Sequence, residues 1–242
     1  ISAVLSFLVL LLQFRSMEGE RGKWFAREEL LPMMKISLPS ILQQSTVSIG
    51  MTLVQSVVNG FGSEALAGFS AAMRIESICV VPMSGIGNAV SSYTAQNIGA
   101  GKQHRVTEGY RAANKLVIFC AVLILLVLEL FPRQLISLLL GEDGTAVAME
   151  TGQGYLVFMG FFFCLIGFKM AVDGLLRGAG DMKMFTVANL TNLTVRVAVA
   201  MAFAPRFGIA FVWYAVPIGW FLNWAISFFQ YRTGTWKRVY RG

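Results

Sequence analysis

The sequence is short of charge, of histidine and of any cysteine framework. Asp, Glu, Lys and Arg together make up 14% of the 242 residues, where soluble domains carry about 25%. That shortage argues against an ordinary soluble domain. The sole histidine, His104, sits among basic residues outside the apolar blocks and reads as a solvated surface side chain. The three cysteines, Cys79, Cys120 and Cys164, lie inside apolar blocks. An odd count without motif spacing excludes a disulfide framework and a zinc site, and such cysteines behave as small buried hydrophobes. With no histidine at membrane depth and no base beside a cysteine, nucleophilic or metal-assisted catalysis has no residues to carry it. No metal or cofactor site is expected, and the reading is of a protein that is not an enzyme.

What the chain has is apolar length. Hydrophobic residues make up 56% of it, and the mean hydropathy is +0.64. A membrane helix needs roughly 20 mainly apolar residues. Six blocks meet that test, approximately 36–58, 66–98, 115–140, 154–176, 184–204 and 208–230. The block at 115–140 contains Glu129, Pro132 and Arg133, so its span is expected to end near Leu130 with a short amphipathic stretch after it. Ile1–Phe14 reads as the tail of a preceding membrane helix. It has neither the basic flank nor the small-residue cleavage site of a signal peptide.

The net charge of +7 is distributed in a way that membrane topology explains better than a nucleic-acid-binding face does. Arg15, Arg21, Lys23, Arg27 and Lys35 precede the first block, and 59–65 has no basic residue. Lys102, Arg105, Arg111 and Lys115 follow, and then Arg133 stands alone against Glu142, Asp143 and Glu150. Arg177 and Lys183 come next, Arg206 stands alone, and the tail has Arg232, Lys237, Arg238 and Arg241. Basic-rich and basic-poor connections alternate without a break, as the positive-inside rule requires of six consecutive crossings. The organisation expected is 1–14 as a helix end, 15–35 as a cytoplasmic linker, 36–230 as a six-helix lobe and 231–242 as a cytoplasmic tail. Trp24, Trp213, Trp220 and Trp236 fall near span ends or flanks, where interfacial anchoring is expected.

Polar groups inside the blocks are the functional clues, because an ionisable side chain at membrane depth costs about 2.5–3.5 kcal/mol on insertion scales. Arg74 and Glu76 are two apart and point to different faces. Arg74 can snorkel outward, whereas Glu76 needs a partner, water or a proton. Lys169 and Asp173 are four apart and share a face. They form either a neutralised pair or an ion-responsive pair lining a cavity. Asn189, Asn192 and Arg196 lie on one stripe, for interhelical bonding or for ligand contact. Gln43 and Gln44 are adjacent and cannot share a face, so at least one looks into a polar cavity or neighbour. Pro39, Pro82 and Pro217, with Gly85 and Gly87, are the expected places for kinks or breaks. Gly174 and Gly178 have the GxxxG spacing of close helix contact.

Four stretches carry a family resemblance. They are Val57–Gly68, Pro82–Ala89, Ala95–Lys102 with its Gln-Asn-Ile-Gly-Ala-Gly run, and Leu176–Asp181 with Leu-Arg-Gly-Ala-Gly-Asp. Together they resemble the second lobe of a multidrug and toxic compound extrusion (MATE) transporter of the bacterial drug-efflux type, over almost the whole chain. The resemblance implies twelve helices in two six-helix lobes around a central cavity, in the cell membrane. It implies alternating access and antiport: export of cationic or amphipathic drugs against inward H⁺ or Na⁺. The implied partners are the N-terminal lobe, small organic cations and membrane lipids, with no nucleic acid. Some branches have an acidic residue in the first helix of this lobe, and block 36–58 has none. Glu76 and Asp173 therefore stand as candidates on burial cost alone. A lipid-linked precursor flippase of the same superfamily is the alternative.

Overall fold

In the computed structural model the described residues are residue 9, 27–141 and 144–237, with only part of the side chains between 27 and 46. The chain forms two compact units, residues 1–35 and 36–242. Of the first, only residue 9 and residues 27–35 are described. The expected helix end at 1–14 otherwise lies outside the described residues, as does 15–26 of the expected linker, while the rest of that linker, 27–35, is already helix. Everything below concerns the second, apart from the start of the helix that begins at Arg27.

The described residues are helical with no strand. The helices are α1 (Arg27–Asn59), α2 (Ser63–Gly99), α3 (Gln103–Leu130), α4 (Pro132–Leu140), α5 (Ala146–Gly160), α6 (Phe163–Gly178), α7 (Met182–Phe207) and α8 (Ala210–Thr233), followed by a 3₁₀ turn at Thr235–Lys237. α2, α3, α7 and α8 are each long and apolar enough to cross a membrane, and α5 with α6 makes a fifth crossing if the bent pair counts as one. In α1 the apolar stretch found among the described residues is Val47–Asn59. α2 lies centrally and packs on α3, α4, α5 and α6. α6 also touches α3, α7 and α8, while α7 and α8 form a tightly packed pair.

Local chemistry sets the ends of these helices. The two turns that look alike in sequence close in the same way. Lys102 N–H donates to Asn97 O (2.8 Å) and Gly101 N–H to Ile98 O (2.9 Å); Asp181 N–H donates to Leu176 O (2.9 Å) and Gly180 N–H to Arg177 O (3.0 Å). This is the two-bond Schellman pattern, and the glycine that permits it is left-handed in each, with φ +72° at Gly101 and +76° at Gly180. Thr145 Oγ1 caps α5 by accepting from Ala148 N–H at 3.3 Å, and Asp181 Oδ1 caps α7 by accepting from Met184 N–H at 3.3 Å. Pro132 opens α4, where its missing N–H costs nothing. As expected, α3 ends at Leu130 with a short helix behind it.

Several expectations are corrected. The connection at 99–115 is only the turn Ala100–Lys102. α3 already runs from Gln103, carrying its basic residues on a helix that extends past its apolar part. The fourth crossing is not one helix over 154–176. It is α5 and α6, bent by 57°. Pro82 and Pro217 lie inside uninterrupted helices. The break falls instead at Phe161–Phe162, after Gly160, a weak helix former. There the bonding changes to three-residue steps, Phe162 N–H to Met159 O (2.9 Å) and Leu165 N–H to Phe162 O (3.0 Å). Trp213, Trp220 and Trp236 are buried within the protein, so they do not face the headgroups; Trp24 lies outside the described residues.

Between membrane helices the hydrophobic effect supplies little net attraction, and close backbone packing takes its place. The α2–α6 seam shows this. A methyl group added at Gly174 would run into the Gly87 carbonyl, and one at Gly178 into the Ser91 carbonyl. Apolar side chains cover the outside instead: Phe119, Leu123, Leu126 and Leu130 on α3 are all exposed, as a lipid-facing surface requires.

Candidate functional site

Asp173, on α6, is buried. Its Oδ2 pairs with Lys169 Nζ at 3.1 Å, one helical turn back, and accepts from Asn189 Nδ2 on α7 at 3.2 Å. Ser227 Oγ on α8 donates to Oδ1 at 2.8 Å. The Lys169 ammonium also donates to Asn189 Oδ1 at 3.0 Å, and Asn189 Nδ2 is shared with Phe185 O at 2.8 Å. One carboxylate thus ties three helices together. An ion pair taken out of water is tolerated only when further hydrogen bonds satisfy it, and here Asn189 and Ser227 supply them.

The network borders a cavity of about 240 Å³. Ser84 and Asn88 of α2 line it opposite Lys169, Asp173 and Arg177. Arg177 belongs to this cavity and not to the loop in which the charge pattern placed it. It reaches back from the last turn of α6, Nη2 donating to Asn88 Oδ1 at 2.7 Å and Nε to Ser91 Oγ at 3.4 Å. More polar atoms are buried without a hydrogen-bond partner: Thr94 Oγ1 on α2, Asn114 Oδ1 on α3, and both Oδ1 and Nδ2 of the fully buried Asn223. Asn223 lies one turn before Ser227 on α8. A buried polar group without a partner is costly, and one that persists calls for a water, an ion or a partner from another state of the molecule.

Glu76 forms a second node, set apart from the first. It lies eleven residues before Gly87 on α2, or about 16 Å along the axis. Glu76 is buried and accepts a hydrogen bond from the Tyr155 hydroxyl of α5. Tyr155 is fully buried, its ring edge-on to Phe69 and Trp213. Arg196 on α7 acts on Glu76 electrostatically but makes no ion pair with it, and its Nε and Nη2 are buried without hydrogen-bond partners. Arg74 is exposed on the other face of α2, as their spacing requires.

The structure therefore brings Lys169, Asp173 and Asn189 together and joins Glu76 to Tyr155, with Arg196 near enough to act on Glu76 but not paired with it. The stripe Asn189–Asn192–Arg196 is real but divided. Asn189 serves the inner node and Arg196 the outer, while Asn192, half-buried, packs where the absence of a side chain on Gly219 makes room. The side chains of Gln43 and Gln44 lie outside the described residues. Ser227, Asn223 and Tyr155 were not picked out from the sequence. Asn223, Ser227 and Gln230, spaced four and three apart in an apolar block, carried a signal that could have found the first two. Tyr155 carried none that separates it from the other aromatics.

A lobe of membrane-crossing helices with cross-linked ionic side chains at depth defines a polytopic transport-type membrane protein. The sequence matches the MatE family model over residues 39–202, and the chain belongs to that family. It is 32% identical over 218 residues to the probable multidrug resistance protein YpnP of Bacillus subtilis (strain 168), a match that covers 90% of this chain and 48% of that protein. It is 21% identical over 219 residues to the probable multidrug resistance protein NorM of Thermotoga maritima, covering 89% and 46%. The fold superposes on the outward-facing conformation of a multidrug resistance MATE family transporter of the MOP superfamily with a TM-score of 0.85 at 24% identity, over 98% of this chain and 55% of that one. On an inward-facing conformation of such a transporter the TM-score is 0.76, over 89% and 50%. The chain spans about half the length of the relatives it matches.

Proposed function

We propose that this chain is the second lobe of a secondary active antiporter that exports cationic or amphipathic drugs across the cell membrane by alternating access, driven by H⁺ or Na⁺. The names of the relatives and their family support the drug cargo. One observation supports ion coupling: the buried Asp173 carboxylate is held by an internal cation, Lys169, beside a polar cavity. A proton or Na⁺ arriving at Asp173 competes directly with the Lys169 ammonium. It would release Lys169 and loosen the tie between α6, α7 and α8, so that ion occupancy and helix arrangement become linked. The other lobe and the organic cation complete the transport cycle, and the coupling ion is the only small cofactor it needs.

The full-length protein in sealed vesicles, given an inward H⁺ or Na⁺ gradient, should move a fluorescent organic cation outward, and Asp173→Asn should abolish that movement. Equal dye movement with and without either gradient removes the proposal. One feature favours the flippase alternative: Lys169 and Arg177 at the cavity outnumber Asp173, which suits an anionic headgroup. Scrambling of a labelled lipid-linked phosphate without dye export would establish that reading in place of the first.

A further inference from the structure

A large cleft in the described part of the lobe lies away from both polar nodes, between α2 and α3. Its volume is about 550 Å³, within the roughly 300–1,000 Å³ range of ligand pockets. Pro82, Gly85 and Tyr93 on α2 and Gly109, Ala113 and Cys120 on α3 line it. Small residues make the hollow. Gly85 has nothing within 4 Å of the position a methyl group would take, while the Tyr93 ring lies against Gly109 and closes one end. The surrounding surface is apolar and exposed, Val81 at 63% and Phe119 at 61%.

Its length is that of one leaflet. Pro82 to Tyr93 and Gly109 to Cys120 are each eleven residues, about 16 Å of helix, against half of a hydrocarbon core about 30 Å thick. Its charge is one-sided. Continuing the α3 stripe Gly109–Ala113–Leu116–Cys120 back by four residues reaches Arg105, and Lys102 stands in the turn just before the helix; both are exposed. Glu108, the nearest acid in sequence, is turned about 100° from that stripe. The basic end is the one the positive-inside rule assigns to the cytoplasm, where the leaflet is anionic.

We infer that this cleft is a binding site for one anionic phospholipid of the inner leaflet, its acyl chain lying along Gly85 and Ala113 and its phosphate held by Arg105 and Lys102. The basic pair stands at the N-terminal end of α3, the helix that forms one wall of the apolar trough, so chain and headgroup are recognised together. A lipid held there wedges α2 against α3 at the level of the Asp173 network.

The test uses the full-length transporter in nanodiscs containing phosphatidylcholine and a trace of phosphatidylglycerol with a photoreactive diazirine at mid-chain. After illumination, adducts should concentrate on the cleft-lining segments 85–93 and 109–120. Excess unlabelled phosphatidylglycerol should compete them away at least fivefold more effectively than phosphatidylcholine. Gly85→Leu, which puts a side chain into the trough from a position whose Cβ has nothing within 4 Å, should cut the adducts at least fivefold at unchanged thermal stability. The double change Arg105→Gln and Lys102→Gln should abolish the preference for phosphatidylglycerol. Adducts spread evenly over the outward positions Val81 and Phe119 and insensitive to Gly85→Leu would overturn the assignment. So would a cleft that takes no adduct because another part of the protein covers it.

Discussion

Consider replacing Lys169 by Met and Asp173 by Leu, singly and together. The two side chains are 13% and 7% exposed and 3.1 Å apart. With Asp173 gone, the ammonium keeps only Asn189 Oδ1 as an acceptor, and Ser227 Oγ loses its partner. Removing one member of a buried pair typically costs 3–5 kcal/mol, and the Asp173→Leu variant is expected near the lower figure, about 3 kcal/mol, because Lys169 is not fully enclosed. With Lys169 gone, Asp173 still accepts from Ser227 and Asn189 and can take up a proton, so the cost is smaller, about 2 kcal/mol. With both gone, no charge is stranded. The double variant should then lose about 2–3 kcal/mol in place of the sum of about 5, a coupling energy near the top of the range seen for contacting pairs. The assay is reversible unfolding of the full-length protein in micelles, read as a double-mutant cycle, with dye export measured on the same four proteins. The double variant should be folded and unable to couple transport to an ion gradient. Single costs that add to within about 0.5 kcal/mol would refute the reasoning, because independent sites behave that way.

Gly174→Leu forces a side chain into the Gly87 carbonyl and should destabilise the lobe by about 3 kcal/mol, the upper end of ordinary overpacking; Gly85→Leu, facing open space, should not, and thermal melting of the two compares them. Tyr155→Phe keeps the ring contacts with Phe69 and Trp213 but removes the hydroxyl that Glu76 relies on, costing about 2 kcal/mol; a variant as stable as the parent would show that Glu76 has another partner. Asp181→Ala removes both the α7 cap and the acceptor of Gln230 Nε2 at 2.7 Å, and should cost about 1–2 kcal/mol in the same assay.

Much of the fold was legible because membrane helices announce themselves by composition. Apolar blocks located the helices, Gly101 and Gly180 marked the turns, and Leu130–Pro132 marked the end of α3. The break at Phe161–Phe162 was not legible. Proline and glycine were the breakers looked for, yet Pro82 and Pro217 sit in continuous helices, and the true discontinuity falls in a run of three phenylalanines behind a single glycine. The tryptophans misled for a related reason: proximity to a span end says nothing about which way a ring points. In the site, the spacing of Lys169 and Asp173 fixed their shared face, and the cost of burying charge singled out Glu76. The third and fourth partners, Ser227 and Asn189, come from helices whose rotation the sequence does not specify. Arg177 was assigned to a loop because it lies next to one. Its long side chain folds back into the lobe, a freedom that a count of loop charges ignores.

The bend after Gly160 has a mechanical consequence. An unbroken helix behaves as a torsion rod, and a twist applied at one end arrives at the other. At Phe161–Phe162 the regular ladder of bonds is interrupted, so the rod is cut into two lengths joined by a soft coupling. Tyr155 stands on one length and Asp173 on the other. Rolling the outer length to swing the phenol away from Glu76 need not turn the inner length, and a single crossing can hold one of the two polar nodes it serves closed while the other opens.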